Sequence, residues 1–270
     1  MNGLDIGSKK ITMRRYWIEK KQIDLEQNVH FIGDQFHHIF DVCRQEAGHH
    51  FEVITEDSKA YLVEVKEVGK KSALATIVEE RQIKNLETPH IHIALAVSRY
   101  PVMDAIMEKA VEMGVKSILP FVSEYSFVRK EKEVSENKIE RWKKIVVSAT
   151  QQCGRGELMT IHDIHNVKTA ITKINPSESK WCLFAYEGAD LKPVKQEIYD
   201  LKIKYNHSAD QKPEEIWIIV GSEGGFSTKE VHMMQELGLH PVTLGSQILR
   251  VETACLTLVA ALKYEFGLMK

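Results

Sequence analysis

Four apolar runs constrain the fold of this chain more than any other feature. IHIALAV (91–97), SILPFV (117–122), WCLFAYE (181–187) and EIWIIV (215–220) carry almost no polar interruption. A strand with one wet face alternates apolar and polar residues. A strand without that alternation is covered on both faces, as in a parallel sheet clad by helices. The segments between the runs have helical spacing. After the first run, Pro101 suits a first helical turn, and Val102, Ala105, Ile106, Lys109, Ala110 and Met113 share a face before Gly114. After the second, Ile139, Trp142, Ile145, Val146 and Ala149 recur at helical spacing until about Gly154. Further helices are expected at about 193–203, 228–237 and 251–266, with a strand at PVTLG (241–245). This alternation builds a mostly parallel α/β sheet.

The first 85 residues read differently. VHFIGD, HHFEVITEDSKAYLVEVKEVG and ALATIVEERQI are short alternating runs, with turn signals at Gly33-Asp34, Asp57-Ser58 and Gly69. Helical spacing is confined to about Gln35–Gln45. A small β-barrel is expected over 1–85, followed by an α/β domain over 86–270. The polar stretch KYNHSADQKPEE (204–215) reads as a surface loop.

Composition narrows the function classes. Of the 270 residues, 43% are hydrophobic and 27% charged, as in a soluble globular protein. The amino-terminal stretch MNGLDIGSKKITMRRYW has no apolar core of signal-peptide length, and no run is long enough to span a bilayer. The four cysteines are widely spaced, which points to a reducing cytoplasm rather than a disulfide framework. Twelve histidines include neighbouring pairs, but none completes a recognised ligand set, so no metal is expected. A net charge of −2 places any nucleic-acid contact in a local patch, such as Arg14-Arg15, Arg129–Lys132 or Arg141, Lys143 and Lys144.

Two loops carry the chemistry. The strand EIWIIV runs into GSEGGFS (221–227), where Gly221, Gly224 and Gly225 permit close backbone approach. Ser227 and Glu230 are spaced as a capping box. The loop lacks the Gly-Lys-Ser/Thr of a phosphate loop and the GxGxxG of a dinucleotide site, and Glu223 would repel phosphate. It suits a neutral or cationic ligand held by backbone groups. The second loop, in PVTLGSQILRVETA (241–254), places the large apolar residues Ile248 and Leu249 where an exposed connection is expected, with Arg250 next. Apolar loop residues bury against a core neighbour or a flat ligand such as a purine.

VGSEGGFS followed by LGSQILRVETA resembles the cofactor-binding end of the SPOUT methyltransferases. More closely, the chain resembles the family that methylates N3 of a uridine in 16S ribosomal RNA. MRRYW, MEKAVEMGVKSILPFVSEYS and RWKKIVVSATQQCGR agree, in order and over nearly the whole chain. Ser222 stands where the family more often has proline, and Gln247 and Val251 replace an arginine and a threonine. An Glu-Arg-Ser-like element reads Glu124-Tyr125-Ser126.

The resemblance implies a carboxy-terminal α/β domain with a deep trefoil knot, a PUA-like RNA-binding barrel before it, and a cytoplasmic homodimer with each site completed by the partner. It implies S-adenosyl-L-methionine as cofactor, held by Tyr186, Val220, Gly221, Ser222, Gly224, Leu244, Gly245, Ser246, Ile248, Leu249 and Thr253. The implied partner is 16S ribosomal RNA or the small ribosomal subunit, contacted through Arg14, Arg15, Gln152 and Arg155, with no membrane and no metal. Arg250 is implied to stabilise charge developing on the uracil oxygens. Glu223 is implied as base or base-orienter, the former only where burial raises its pKa. A SPOUT enzyme acting on another RNA or base atom, and a non-catalytic RNA-binding protein of this fold, remain alternatives.

Overall fold

The computed structural model describes residues 13–188, 191–205 and 211–269. Most of the amino-terminal stretch read above, and residues 206–210 of the polar loop, lie outside it. The described residues form two compact units. One runs up to Asn85 and includes Thr150–Leu158; the other is Leu86–Ala149 with Met159 onward.

The first unit holds β1 (Arg15–Trp17), β2 (Asn28–Ile32), β3 (His50–Ile54), β4 (Lys59–Val68) and β5 (Ser72–Gln82) in the order β1-β3-β4-β5-β2. Only β1–β3 is parallel; the other pairings are antiparallel. The β3–β4 hairpin turns at Ser58, which adopts φ 59°. Gly33, expected to turn the chain, instead opens α1 (Gly33–Phe36), which continues as a wider helical turn to Val42. Tyr16 of β1, Phe31 of β2 and Phe51 of β3 share one core with Phe36 and Phe40. Tyr16 meets Phe51 edge-on at 5.0 Å, and Phe31 meets Phe51 at 5.7 Å. The sheet therefore curls around its core. Among the described residues its end strands β1 and β2 are not hydrogen-bonded to each other, so no strand pairing closes the expected barrel.

The second unit alternates strands and helices, apart from the short consecutive strands β8–β9 and β10–β11. Its elements are β6 (His90–Ala96), α2 (Tyr100–Glu112), β7 (Ser117–Val122), α3 (Glu136–Cys153), β8 (Thr160–Ile161), β9 (His165–Asn166), α4 (Val167–Ile174), β10 (Lys180–Ala185), β11 (Lys192–Pro193), α5 (Val194–Lys204), β12 (Glu215–Val220), α6 (Thr228–Glu236), β13 (Pro241–Thr243) and α7 (Val251–Glu265). The last turn of α3 belongs to the first unit. Strand order is β11-β13-β10-β12-β6-β7-β8, with β9 also on β7, and each described pairing is parallel. Every residue of β7 is buried, as its unbroken apolar run requires. Ala94, Phe121, Phe184, Ile219 and Met234 pack together on one face with α4 and α6. On the opposite face α7 packs against β12 and α2.

This order places a topological switch point in the middle of the sheet. From β6 the chain passes to β7 and β8 on one side, then crosses to β10 and β12 on the other. The carboxyl-end crevice between β6 and β12 is where open α/β sheets bind ligands.

Candidate active site

The loop after β12 is glycine-bound by geometry. Gly225 adopts φ 69° and donates its N–H to Ser222 O at 2.9 Å, closing a tight turn. A Cβ on Gly221 would lie 2.9 Å from the Gly225 carbonyl carbon, so backbone packs directly on backbone. Val220 and Ser222 are buried, while Glu223 and Gly224 are exposed. The expected capping box forms: Ser227 Oγ accepts the Glu230 N–H at 3.4 Å, and Glu230 Oε2 accepts the Ser227 N–H at 2.9 Å.

A second loop, after β7, is fastened to it. Glu230 Oε1 accepts the Glu124 N–H at 2.8 Å, and Ser222 Oγ donates to the Tyr125 carbonyl at 2.6 Å. Arg129, read above as part of a basic patch, donates from Nη1 to the Glu124 carbonyl at 2.6 Å. Two departures from the family pattern, Ser222 and Tyr125, are thus in contact. Serine supplies a side-chain donor that proline lacks.

The third loop leaves β13. Gly245 has φ 130°, and its N–H donates to Thr243 Oγ1 at 3.2 Å. Leu244 and Leu249 are half-buried, Ser246 is exposed, and Ile248 is 81% exposed. Among the described residues the backbone N–H groups of Ser246 to Leu249 donate no hydrogen bond. Arg250 occupies the N-cap position of α7 without a side-chain capping bond and is exposed, and Thr253 is exposed in its first turn. Half-buried Tyr186, just past β10, donates its N–H to Val242 O at 3.1 Å. Because β12, β10 and β13 are adjacent, their three loops rise from one stretch of the sheet's carboxyl edge. Exposed apolar side chains, unengaged amides and glycines admitting close approach fit an adenosine carrying a sulfonium.

Glu223 does not stand alone. Its Oε1 accepts both the backbone N–H of Arg99, at 3.2 Å, and Arg99 Nε, at 3.0 Å. Burial pushes the Glu223 carboxyl up, but hydrogen bonds from its own backbone N–H and from Arg99 outweigh that and leave it below the ordinary carboxylate value. A general base working near neutrality needs the opposite direction. Glu223 is an ion-paired carboxylate oriented toward Arg99. Arg99 is not among the residues expected from the resemblance. Its signal was a charged residue two positions after an apolar run and shortly before Pro101.

The four expected RNA contacts lie in the first unit. Arg14 is exposed, with Nη1 on the Cys43 carbonyl at 3.2 Å. Arg15 Nε donates to Glu52 Oε2 at 2.7 Å, and Arg81 Nε takes the other oxygen at 2.7 Å. Gln152 is exposed, whereas its neighbour Gln151 accepts the Trp17 N–H at 2.8 Å. Arg155 departs from expectation. Its side chain is 5% exposed and lies 3.6 Å from Glu157, and burial pulls its pKa down. The guanidinium is withdrawn from the surface.

Elsewhere in the second unit, a cavity of ≈ 180 Å³ is lined by His162, His165, Lys173 and Trp217 and by none of the residues of these loops. Among the described residues no three His, Cys, Asp or Glu side chains are grouped to hold a metal.

Residues 85–263 match the RNA methyltransferase domain family, and residues 31–78 match the RNA methyltransferase PUA domain family. The sequence is 30% identical over 263 residues to the ribosomal RNA small subunit methyltransferase E of Buchnera aphidicola subsp. Acyrthosiphon pisum, spanning 97% of this chain and 96% of that protein. The chain belongs to the ribosomal RNA small subunit methyltransferase E family. A member of this family from Neisseria gonorrhoeae, solved bound to S-adenosyl methionine, is 27% identical with a TM-score of 0.75, covering 93% of this chain and 97% of that one. A putative methyltransferase from Legionella pneumophila, solved with bound SAM, is 25% identical with a TM-score of 0.79, covering 94% and 98%.

Proposed function

We infer that this chain transfers a methyl group from S-adenosyl-L-methionine to N3 of a uridine in 16S ribosomal RNA of the small subunit. One observation carries the reading. In a chain that matches this methyltransferase family over nearly its whole length, the apolar, amide-rich loop 244–250 and the glycine loop 221–225 rise from neighbouring parallel strands.

When bound, the cofactor supplies an electrophilic methyl group on a positively charged sulfur. Gly221, Leu244, Gly245, Ile248 and Leu249 hold its adenosine through backbone groups and apolar contact, with Tyr186, Val220, Ser222, Gly224, Ser246 and Thr253 around them. Glu223, its carboxyl held below the ordinary value by its own backbone N–H and by Arg99, adds negative charge at this edge of the sheet. Arg250 makes no side-chain hydrogen bond among the described residues, which leaves its guanidinium available to the uracil oxygens. Residues 1–85 serve as the PUA-like RNA-binding domain, and residues 86–270 as the SPOUT domain with its trefoil knot, dimerising in the cytoplasm.

Calorimetric titration of the purified protein with S-adenosylmethionine, followed by mass spectrometry of 16S RNA after incubation, tests the reading. Cofactor binding and a methyl group on a uridine N3 support it. A folded protein that neither binds the cofactor nor methylates naked 16S RNA or 30S subunits would refute it.

A further inference from the structure

The crevice between β6 and β12 is straddled by one pair of charged residues. Arg99 follows β6 and Glu223 follows β12, and the two strands are hydrogen-bonded neighbours. A single oxygen, Glu223 Oε1, takes both the backbone N–H and Nε of Arg99. The Nη groups of Arg99 make no hydrogen bond among the described residues, and the side chain is 66% exposed. So exposed an ion pair contributes little to stability. What it does is aim: the guanidinium is held at its base while both terminal nitrogens face outward.

The surroundings say what those nitrogens face. The cofactor loops follow β12, β10 and β13, which lie to one side of the crevice. Arg99 lies on the other side, next to the loop after β7, whose Phe127 N–H donates to the Val97 carbonyl at 2.8 Å. Tyr125 of that loop is 48% exposed and so close to the glycine loop that a Cβ on Gly224 would lie 2.8 Å from its own Cβ. An exposed aromatic ring and a pre-aimed arginine, each tied to the glycine loop, are the equipment for an unstacked base.

We propose that Arg99 is a catalytic residue that hydrogen-bonds a carbonyl oxygen of the target uracil and stabilises its N3 anion, with Glu223 as the positioning residue that aims it. The assignment rests on the uridine-N3 reading. In the step it serves, the N3–H bond breaks and the proton passes to solvent water. The electron pair left on N3 forms the bond to the methyl carbon, and the carbon–sulfur bond breaks with its pair returning to sulfur. Arg99 adds no atoms; it lowers the free energy of the anion, as fixed donors do for other oxyanions.

The test combines a reaction profile with a binding readout. Wild type, Arg99→Ala, Arg99→Lys and Glu223→Gln are compared in single-turnover methylation of 16S RNA across pH, with cofactor calorimetry as the control for folding. Fluorine NMR then follows the N3 titration of 5-fluorouridine at the target position in protein-bound RNA, without cofactor. Bound 5-fluorouridine should titrate at lower pH than free RNA with wild type, and at the free value with Arg99→Ala. At saturating RNA the Ala variant should transfer methyl about 10²-fold more slowly at neutral pH, with the deficit shrinking as pH rises. Arg99→Lys should recover part of the rate, and Glu223→Gln should fall between. Cofactor affinity should be unchanged in the Arg99 variants. A loss confined to the KM for RNA and constant with pH would make Arg99 a phosphate anchor and overturn the proposal, as would an unshifted titration with wild type. Should wild type methylate no uridine N3, the reaction reading itself falls and the proposal with it.

Discussion

The Glu230 carboxylate spans two loops: Oε1 accepts the Glu124 N–H at 2.8 Å while Oε2 accepts the Ser227 N–H at 2.9 Å. The side chain is buried and both acceptor oxygens are used. Glu230→Ala removes a cap and strands a loop amide, so it should cost about 2–4 kcal/mol. Glu230→Gln keeps one acceptor and should cost less. Thermal unfolding of both variants measures this, and an unchanged midpoint for the Ala variant would contradict the arrangement. Cofactor affinity should weaken in parallel, because the anchored loop 221–225 is part of the proposed cofactor site.

Leu249 and Gly221 should separate binding from folding. Leu249 is half-buried in an open loop. Leu249→Arg should abolish cofactor binding in calorimetry while leaving the unfolding curve in place. Gly221→Ala forces a methyl to within 2.9 Å of the Gly225 backbone. It should lower stability by about 1–3 kcal/mol and weaken the cofactor as well. Retention of wild-type affinity by both variants would move the cofactor away from these loops.

His92 should make the protein acid-sensitive. It is buried, its Nδ1 lies 2.7 Å from Ser117 Oγ, and its ring stacks on Trp217 at 4.5 Å. Burial pushes its pKa down to about 4, against the partial opposing effect of Glu215. A histidine whose folded pKa lies below its unfolded value of about 6.5 stabilises the fold fully above that value. The contribution is lost as pH falls from about 6.5 to about 4, amounting to about 3 kcal/mol. Urea unfolding between these pH values should show that slope in wild type and a shallower one in His92→Gln. Equal slopes would mean that the imidazole is not buried neutral.

Arg14 and Arg15 are adjacent but should respond differently. Arg15 shares with Arg81 a Glu52 side chain that is only 10% exposed, whereas Arg14 is exposed. Arg15→Ala should cost about 1–2 kcal/mol of stability. Arg14→Ala should leave unfolding unchanged and reduce the salt dependence of RNA binding by about one phosphate contact. Filter binding across salt concentrations, set beside unfolding curves, distinguishes the two.

Unbroken runs such as SILPFV announced a sheet covered on both faces, and β7 is buried throughout. The Ser227–Glu230 box was legible because its partners are three residues apart. Helix α4 was missed although Asn166 caps it, its side chain accepting the Thr169 N–H at 2.9 Å. At eight residues it offers barely two turns of periodicity, and β8, β9 and β11 have two residues each. The burial of Arg155 was not legible, because a guanidinium near a helix end looks the same in sequence whether solvated or buried.

The amino-acid sequence determined the strand–helix alternation, the glycine and apolar character of the two loops, and the caps that start α6. These depend on backbone sterics and on periodicities that act between near neighbours. The tertiary structure decided which loops meet. Insertion of β12 between β10 and β6 brings Glu223 to Arg99 across 124 residues of chain, and Glu230 to Glu124 across 106. Strand order is set by how whole helices and strands bury their apolar faces together. No local pattern encodes it, so the ion pair at the switch point became visible only once the sheet was assembled.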